Sequence, residues 1–267
     1  MQWGRWEPLA GGLLAVGLLW AAGIAWPLSE GYPSLPHWVG DRLNSATEPR
    51  FDRAALRADL AAGGFVLGDR AHVRIFKRER QLQLWLSRAG GPYALFRSYA
   101  ICDFSGGLGP KLREGDRQAP EGFYRVGLAQ LNPQSRHHLA FNLGFPNAFD
   151  RQLGRTGSAL MVHGGCSSVG CYAIGDASVD EVYAVVEAAL RHGQDAVDVH
   201  AFPFALSREA LAAEADSAWQ PFWRNLKQGF DLFEAARMPP RVAACDGQYR
   251  FGQEAEEPGC VAIAAWS

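Results

Sequence analysis

Between Val73 and His163 the chain is a succession of short apolar runs cut by glycine, proline and charge, a pattern that strands can use and long helices cannot. Val73-Arg-Ile-Phe and Leu82-Gln-Leu-Trp-Leu86 alternate on either side of Lys77-Arg-Glu-Arg80, and Tyr93 to Ile101 is a third strand-like run. A β-meander is therefore expected to open the domain. Strand-like runs recur at Phe123 to Leu128, Leu139 to Phe145 and Ala159 to His163. The segment Gly106 to Gly122 holds too much Gly, Pro and charge for a regular element, and an ordered loop is expected there.

Helical periodicity is confined to the flanks and the last third. Leu56 and Leu60 mark a short helix that Gly63-Gly64 ends. Val179 to His192 carries Val182, Val185, Val186 and Leu190 on one face, Gly193 follows it, and Ser178 with Glu181 reads as a capping box. Arg208 to Ala218 and Pro221 to Arg237 are expected as further helices, with Val197 to Phe204 a strand before them. The expected fold class is α+β: a β-rich domain over residues 64–207, with helices and a tail over 208–267 packed on it.

The N-terminus sets the compartment. Residues 9–28 carry no charge, and the run Leu9 to Trp20 has the character of an export signal, long enough to serve as an anchor instead. Residues 1–28 are thus expected to be a signal peptide or membrane anchor, and 29–63 a spacer with one short helix. An exported protein is expected, secreted or tethered to the membrane, with membrane contact only through that segment. A formal net charge of −2 offers no basic stripe for nucleic acid.

Chemistry concentrates in His163-Gly-Gly-Cys-Ser-Ser-Val-Gly-Cys171. A thiol attacks as thiolate, and a nearby imidazole can take its proton and return one to a leaving amine. The glycines let the backbone turn sharply and bring amide N–H groups near a reacting carbonyl. Five cysteines, at 102, 166, 171, 245 and 260, leave at least one thiol free. Cys245 could bridge to Cys260, with Cys102 also available, and Cys166 is expected to pack rather than react. Zinc bound by His163, Cys166 and Cys171 fits no standard ligand spacing, so no metal and no cofactor are expected.

The segment Met161-Val-His-Gly-Gly-Cys-Ser-Ser-Val-Gly-Cys-Tyr-Ala173 resembles the His-Gly … Ser-x-Gly-Cys motif of the YkuD-type L,D-transpeptidase family, in its YafK-like branch. Gly109-Pro-Lys, Glu114-Gly-Asp, Pro120-Glu-Gly-Phe-Tyr, Asn142-Leu-Gly-Phe-Pro-Asn, Gly154-Arg-Thr-Gly157 and Pro221-Phe-Trp resemble the same branch, in order, between about Gly64 and Val242. The resemblance implies a cysteine enzyme that forms a thioester with a peptidoglycan stem peptide. Cys171 would be the nucleophile, His163 the base and acid, Gly170 with Cys171 the oxyanion donors, and Ser168 a support for the loop. Arg155, Lys111 and Tyr172 are candidates for substrate binding. The common motif separates its His and Cys by more residues and places Arg or Asn where Ala173 stands. These departures turn the expectation towards transfer to water, cleaving an L,D amide such as a link between peptidoglycan and an outer-membrane lipoprotein. The alternatives are L,D-transpeptidation that forms cross-links or attaches lipoprotein, and a catalytically silent peptidoglycan-binding module.

Overall fold

The computed structural model describes residues 51–266. The chain divides into two units, Met1–Ala46 and Thr47–Ser267, and only the second contains described residues. The signal or anchor expected over residues 1–28 lies outside them. In chain order the elements are α1 (Arg53–Ala62), β1 (Arg70–Phe76), β2 (Gln81–Ser87), β3 (Ala94–Ala100), β4 (Asp103–Phe104), β5 (Gly122–Val126), β6 (Leu131–Ser135), β7 (His138–Asn142), α2 (Ala148–Gln152), β8 (Met161–His163), β9 (Tyr172–Ala173), α3 (Asp176–Arg191), β10 (Val197–Phe202), α4 (Arg208–Ala212), α5 (Gln220–Ala236), β11 (Val242–Cys245), β12 (Gln248–Phe251) and β13 (Val261–Ala262). The fold is α+β and rich in strands, as expected.

The opening meander forms, but it is only part of its sheet, whose order is β3-β2-β1-β10-β5. Strand β10 enters parallel to β1, pairing Val73 with Val199 and Ile75 with Ala201, and it pairs antiparallel with β5 on its other side. A second sheet runs β4-β9-β8-β7-β6, and a three-stranded sheet β12-β11-β13 closes the C-terminus.

The main core lies where one face of the first sheet meets the second sheet and α3. Val73, Ile75, Leu82, Leu84, Val197 and Val199 from the first pack with Phe141, Val162 and Tyr172 from the second, and with Val179, Val182, Val186 and Leu190 from the helix. Each such fully buried aliphatic side chain contributes roughly 1.5–3 kcal/mol relative to exposure.

The alternation in β1 does not mark a solvated face. His72 and Arg74 are as buried as the apolar residues between them, because α5 covers that side with Trp223, Leu226 and Phe233. Arg74 reaches Glu234 on that helix at 2.6 Å and stacks on the rings of Phe230 and Phe233. A guanidinium is tolerated there because it is both paired and flanked by ring faces.

Two expected boundaries move. Helix α3 begins at Asp176, so Ser178 lies inside its first turn and caps nothing; Gly175 holds the N-cap position at a φ of +79°. Asp176 and Glu181 serve tertiary contacts instead, the first accepting from the Gly165 N–H at 2.7 Å and the second from Tyr99 and Arg97 of β3. Helix α4 stops at Ala212 rather than Ala218.

The loop between β4 and β5 is ordered by two buried or half-buried carboxylates. Asp116 accepts from the amides of Leu112, Arg113 and Gln118 and from Lys111 Nζ. Glu121, fully buried, accepts from Lys77 Nζ at 3.0 Å, the Gly109 N–H at 2.7 Å and Trp223 Nε1 at 2.8 Å. One carboxylate therefore joins the end of β1, the loop and α5. Glu121→Ala leaves the Lys77 charge buried without its partner, and is expected to lower unfolding stability by roughly 3–5 kcal/mol in urea titration. A loss below about 1 kcal/mol would show that the loop is held by other contacts.

Candidate active site

Strand β8 is central to the second sheet and carries His163 at its C-terminal end. It pairs antiparallel with β7, Ala140 opposite His163, and parallel with β9, where Val162 is in register with Tyr172 and His163 with Ala173. Extending that register by one residue sets Cys171 beside Met161. Because strand side chains alternate faces, Val162 and Tyr172 point into the core while Met161, His163 and Cys171 share the opposite face. The eight residues 164–171, ending on Cys171, are the return loop that makes β8 and β9 parallel neighbours.

Two glycines make that loop possible. A Cβ on Gly164 would lie 2.5 Å from the Asp176 carboxylate and 2.8 Å from the His137 carbonyl, so no side chain fits. Gly170 has a φ of +93°, in the left-handed region that glycine occupies without steric cost. Cys166, expected to pack, is disulfide-bonded to Cys102 ahead of β4 and so ties the loop to the sheet edge. Closing a separation of 64 residues in this way restricts the unfolded chain by about 4 kcal/mol in the chain-entropy picture. Cys245 bridges Cys260, and Cys171 is the free cysteine. With Cys166 bonded to sulfur, the zinc set considered from sequence has lost one of its three ligands.

The Cys171 sulfur is half-buried, 3.4 Å from the Met161 N–H and 3.5 Å from the Ala159 carbonyl. Burial raises its pKa above that of an ordinary thiol, against the opposing pull of the Met161 N–H and the Lys111 charge. His163 is buried, and its Nδ1 lies 2.6 Å from the Gly164 carbonyl. A carbonyl only accepts, so Nδ1 carries the proton and Nε2 keeps the lone pair, the tautomer a general base requires. Burial lowers the His163 pKa, the Gly164 contact opposes that, and the His137 charge adds to it. The cleft therefore holds a neutral thiol and a neutral imidazole at neutral pH.

Ser168 clamps the Cys171 backbone, its Oγ accepting from the Cys171 N–H at 3.0 Å and donating to the Cys171 carbonyl at 2.8 Å. Its own N–H donates to Asp103 at 2.6 Å, and the Gly170 N–H donates to Ser105 Oγ. Both amides expected to face the oxyanion are thus engaged by hydroxyl groups, and one of these hydroxyls must yield before either amide can bind a developing oxyanion.

The three candidate substrate contacts are placed elsewhere. Tyr172 is fully buried and donates to the Pro120 carbonyl at 2.5 Å, because its strand position points it into the core. Arg155 is buried against Asp150 at 2.9 Å, and its guanidinium packs near the mutually stacked rings of Phe149 and Phe222. Lys111 is buried and bound to Asp116, and it acts on the site through its charge at the sulfur.

The cleft above Cys171 and His163 has a volume of about 330 Å³ and is walled on one side by Asn132, Ser135, Arg136 and His137. These belong to the β6–β7 hairpin, whose ends pair Ser135 with His138. Two adjacent histidines of the hairpin diverge: the His137 ring lies 4.6 Å from that of His163, while His138 binds Asp180 of α3 at 2.8 Å. A hairpin remote in sequence from the thiol motif gave no signal that it would meet it. A larger cavity of about 450 Å³, over Phe123, Asp198 and Pro239, includes neither Cys171 nor His163.

YafK of Escherichia coli K12, named as a candidate L,D-transpeptidase, is 45% identical to this chain over 184 residues, 69% of this chain and 74% of YafK. The chain belongs to the L,D-transpeptidase family, in its YafK-like branch. The protein of the same name from Escherichia coli O157:H7 matches with the same identity and coverage. No family model matches the chain. Among solved structures, the helical cell shape determining protein Pgp2 from Campylobacter jejuni, as its K307A mutant, aligns at 20% identity and a TM-score of 0.42, covering 68% of this chain and 69% of Pgp2. Mycobacterium tuberculosis L,D-transpeptidase 1 aligns at 14% identity and a TM-score of 0.27, over 52% of this chain and 64% of the other. In this member of the L,D-transpeptidase family, His163 at the end of β8 and Cys171 just before β9 line one cleft.

Proposed function

We propose that this protein is an exported cysteine enzyme of peptidoglycan that cleaves an L,D amide link by way of a Cys171 thioester. The observation that carries the proposal is the free Cys171 thiol lining one cleft with His163, whose tautomer leaves Nε2 free to act as base. In the first half-reaction His163 Nε2 takes the thiol proton and Sγ bonds to the substrate carbonyl carbon. The tetrahedral oxyanion then collapses, the C–N bond breaks, and the amine leaves with the proton from His163. In the second half-reaction His163 takes a proton from water, the hydroxide oxygen bonds to the thioester carbon, and the C–S bond breaks to return the thiol and release a carboxylic acid.

Hydrolysis is favoured over cross-linking because Ala173, where the common motif carries Arg or Asn, is buried in β9 and offers no polar group to an acceptor peptide. A peptidoglycan-linked lipoprotein is a fitting substrate, its amide joining a stem peptide to a protein amine. Two disulfides suit an oxidising compartment, which supports a periplasmic location with residues 9–28 as signal or anchor.

The test is to incubate the protein with muropeptides, with and without a peptide-linked lipoprotein remnant, and to weigh the products. Shortened stem peptides or a released remnant are expected. New cross-linked dimers would assign transpeptidation instead, and binding without any product would assign a silent peptidoglycan-binding module.

A further inference from the structure

Among the residues lining the cleft, Arg136 is the one permanently charged side chain, and no carboxylate lines the cleft beside it. Its position is built. The β6–β7 hairpin is pinned to α3 by His138 and Asp180, and the Ser135 hydroxyl accepts from the His137 N–H at 3.0 Å within the turn. The His137 carbonyl lies against the bare Cα of Gly164. The hairpin tip that presents Arg136 is thus docked on the His163-Gly164 turn itself.

The order of groups along β8 gives the charge a side. Cys171 lies beside Met161 at the start of the strand, His163 ends the strand, and the hairpin tip adjoins the residue after it. Seen from the sulfur, Arg136 lies beyond His163. In acyl transfer the group that protonates the leaving amine stands on the amine's side of the scissile bond.

We propose that Arg136 binds a free carboxylate on the amine side of the scissile amide, so that the enzyme selects leaving groups that are acid-terminated amino acids or peptides. The inference rests on the proposed acyl transfer and names the substrate feature that the cleft reads. A guanidinium suits the role because its planar fork matches a carboxylate in a bidentate geometry. It also supplies in the cleft the positive group that Arg155 and Lys111, both buried in ion pairs, do not.

The probe is a stem tetrapeptide with a free terminal carboxylate, set beside the same peptide as its terminal carboxamide. Turnover of both is measured for the protein, Arg136→Gln and Arg136→Lys, and binding of both is measured by calorimetry on the Cys171→Ala form with and without Arg136→Gln. We expect about tenfold or greater preference for the carboxylate, the order of one charge-assisted hydrogen bond, in both kcat/KM and affinity. The preference should collapse to near unity in Arg136→Gln and return in part in Arg136→Lys. Equal affinity for the two peptides, or a preference that survives Arg136→Gln, overturns the inference. Carboxylate preference in binding with no turnover of either peptide by the protein supports Arg136 as the reader and contradicts the proposed function instead.

Discussion

Cys171→Ala is expected to lower kcat/KM on stem-peptide substrates by roughly 10⁴-fold or more, because a nucleophile that forms the covalent intermediate has no partial substitute. The structure separates this effect from a folding defect. The sulfur is half-buried and bonded only weakly to its surroundings, through the Met161 N–H and the Ala159 carbonyl, and the Cys171 backbone is held by Ser168 whatever the side chain. The variant should keep its urea midpoint to within the change expected for one small side chain. Cys166, the nearest competing cysteine in sequence, is removed from consideration by its bond to Cys102. A Cys171→Ala protein that kept a tenth of its activity would place the nucleophile elsewhere.

His163→Gln is expected to cost roughly 10³-fold, within the range of general acid and base catalysis. The pH profile makes the assignment specific. Protonating Nε2 removes the base, so kcat/KM falls as the pH drops through the His163 pKa. Burial penalises the imidazolium and holds that pKa below the ordinary imidazole value. The acid limb should therefore lie below about pH 6.5, and His163→Gln should abolish it. On the alkaline side, burial holds the Cys171 thiol above the usual thiol range, so the resting enzyme keeps its proton through neutral pH. An acid limb at or above pH 7, or one unchanged in His163→Gln, would assign the titration to another group. His137, exposed, lies with its ring tilted against that of His163 at 4.6 Å.

Much of this was legible in the sequence where the signal is local. The short apolar runs became strands with ends displaced by up to three residues, and the apolar face of Val182, Val185, Val186 and Leu190 became the buried face of α3. The spacing of His163 and Cys171 became a return between two parallel strands. What was not legible depends on pairing across long separations. The insertion of β10 beside β1 joins residues about 126 apart, and no periodicity encodes it. It also explains why β1, whose Arg74 alternates with apolar residues as if facing solvent, is buried on both sides.

Arg155 and Tyr172 were singled out for their side chains' chemistry and their closeness to the motif in sequence, and Lys111 as a charge in the loop before the Phe123 strand. Each is buried by a partner that the sequence does not mark: Asp150, Asp116 and the Pro120 carbonyl. The hairpin residues that wall the cleft, Asn132 to His137, lie 34 to 39 positions before Cys171, and only the β7–β8 pairing brings them there. The helix cap failed for a related reason. Ser178 and Glu181 satisfy the local pattern, yet Asp176 is held two residues earlier by the Gly165 amide, which starts the helix there.

The most direct test of the thioester is to mix the protein with a stem-peptide substrate, quench in acid within the first turnovers, and weigh the intact protein and its proteolytic fragments. We predict a mass increase equal to the acyl portion of the substrate, confined to the fragment containing Cys171, and absent from Cys171→Ala. Product formation at full rate with no adduct on Cys171, or an adduct on any other residue, would contradict the account.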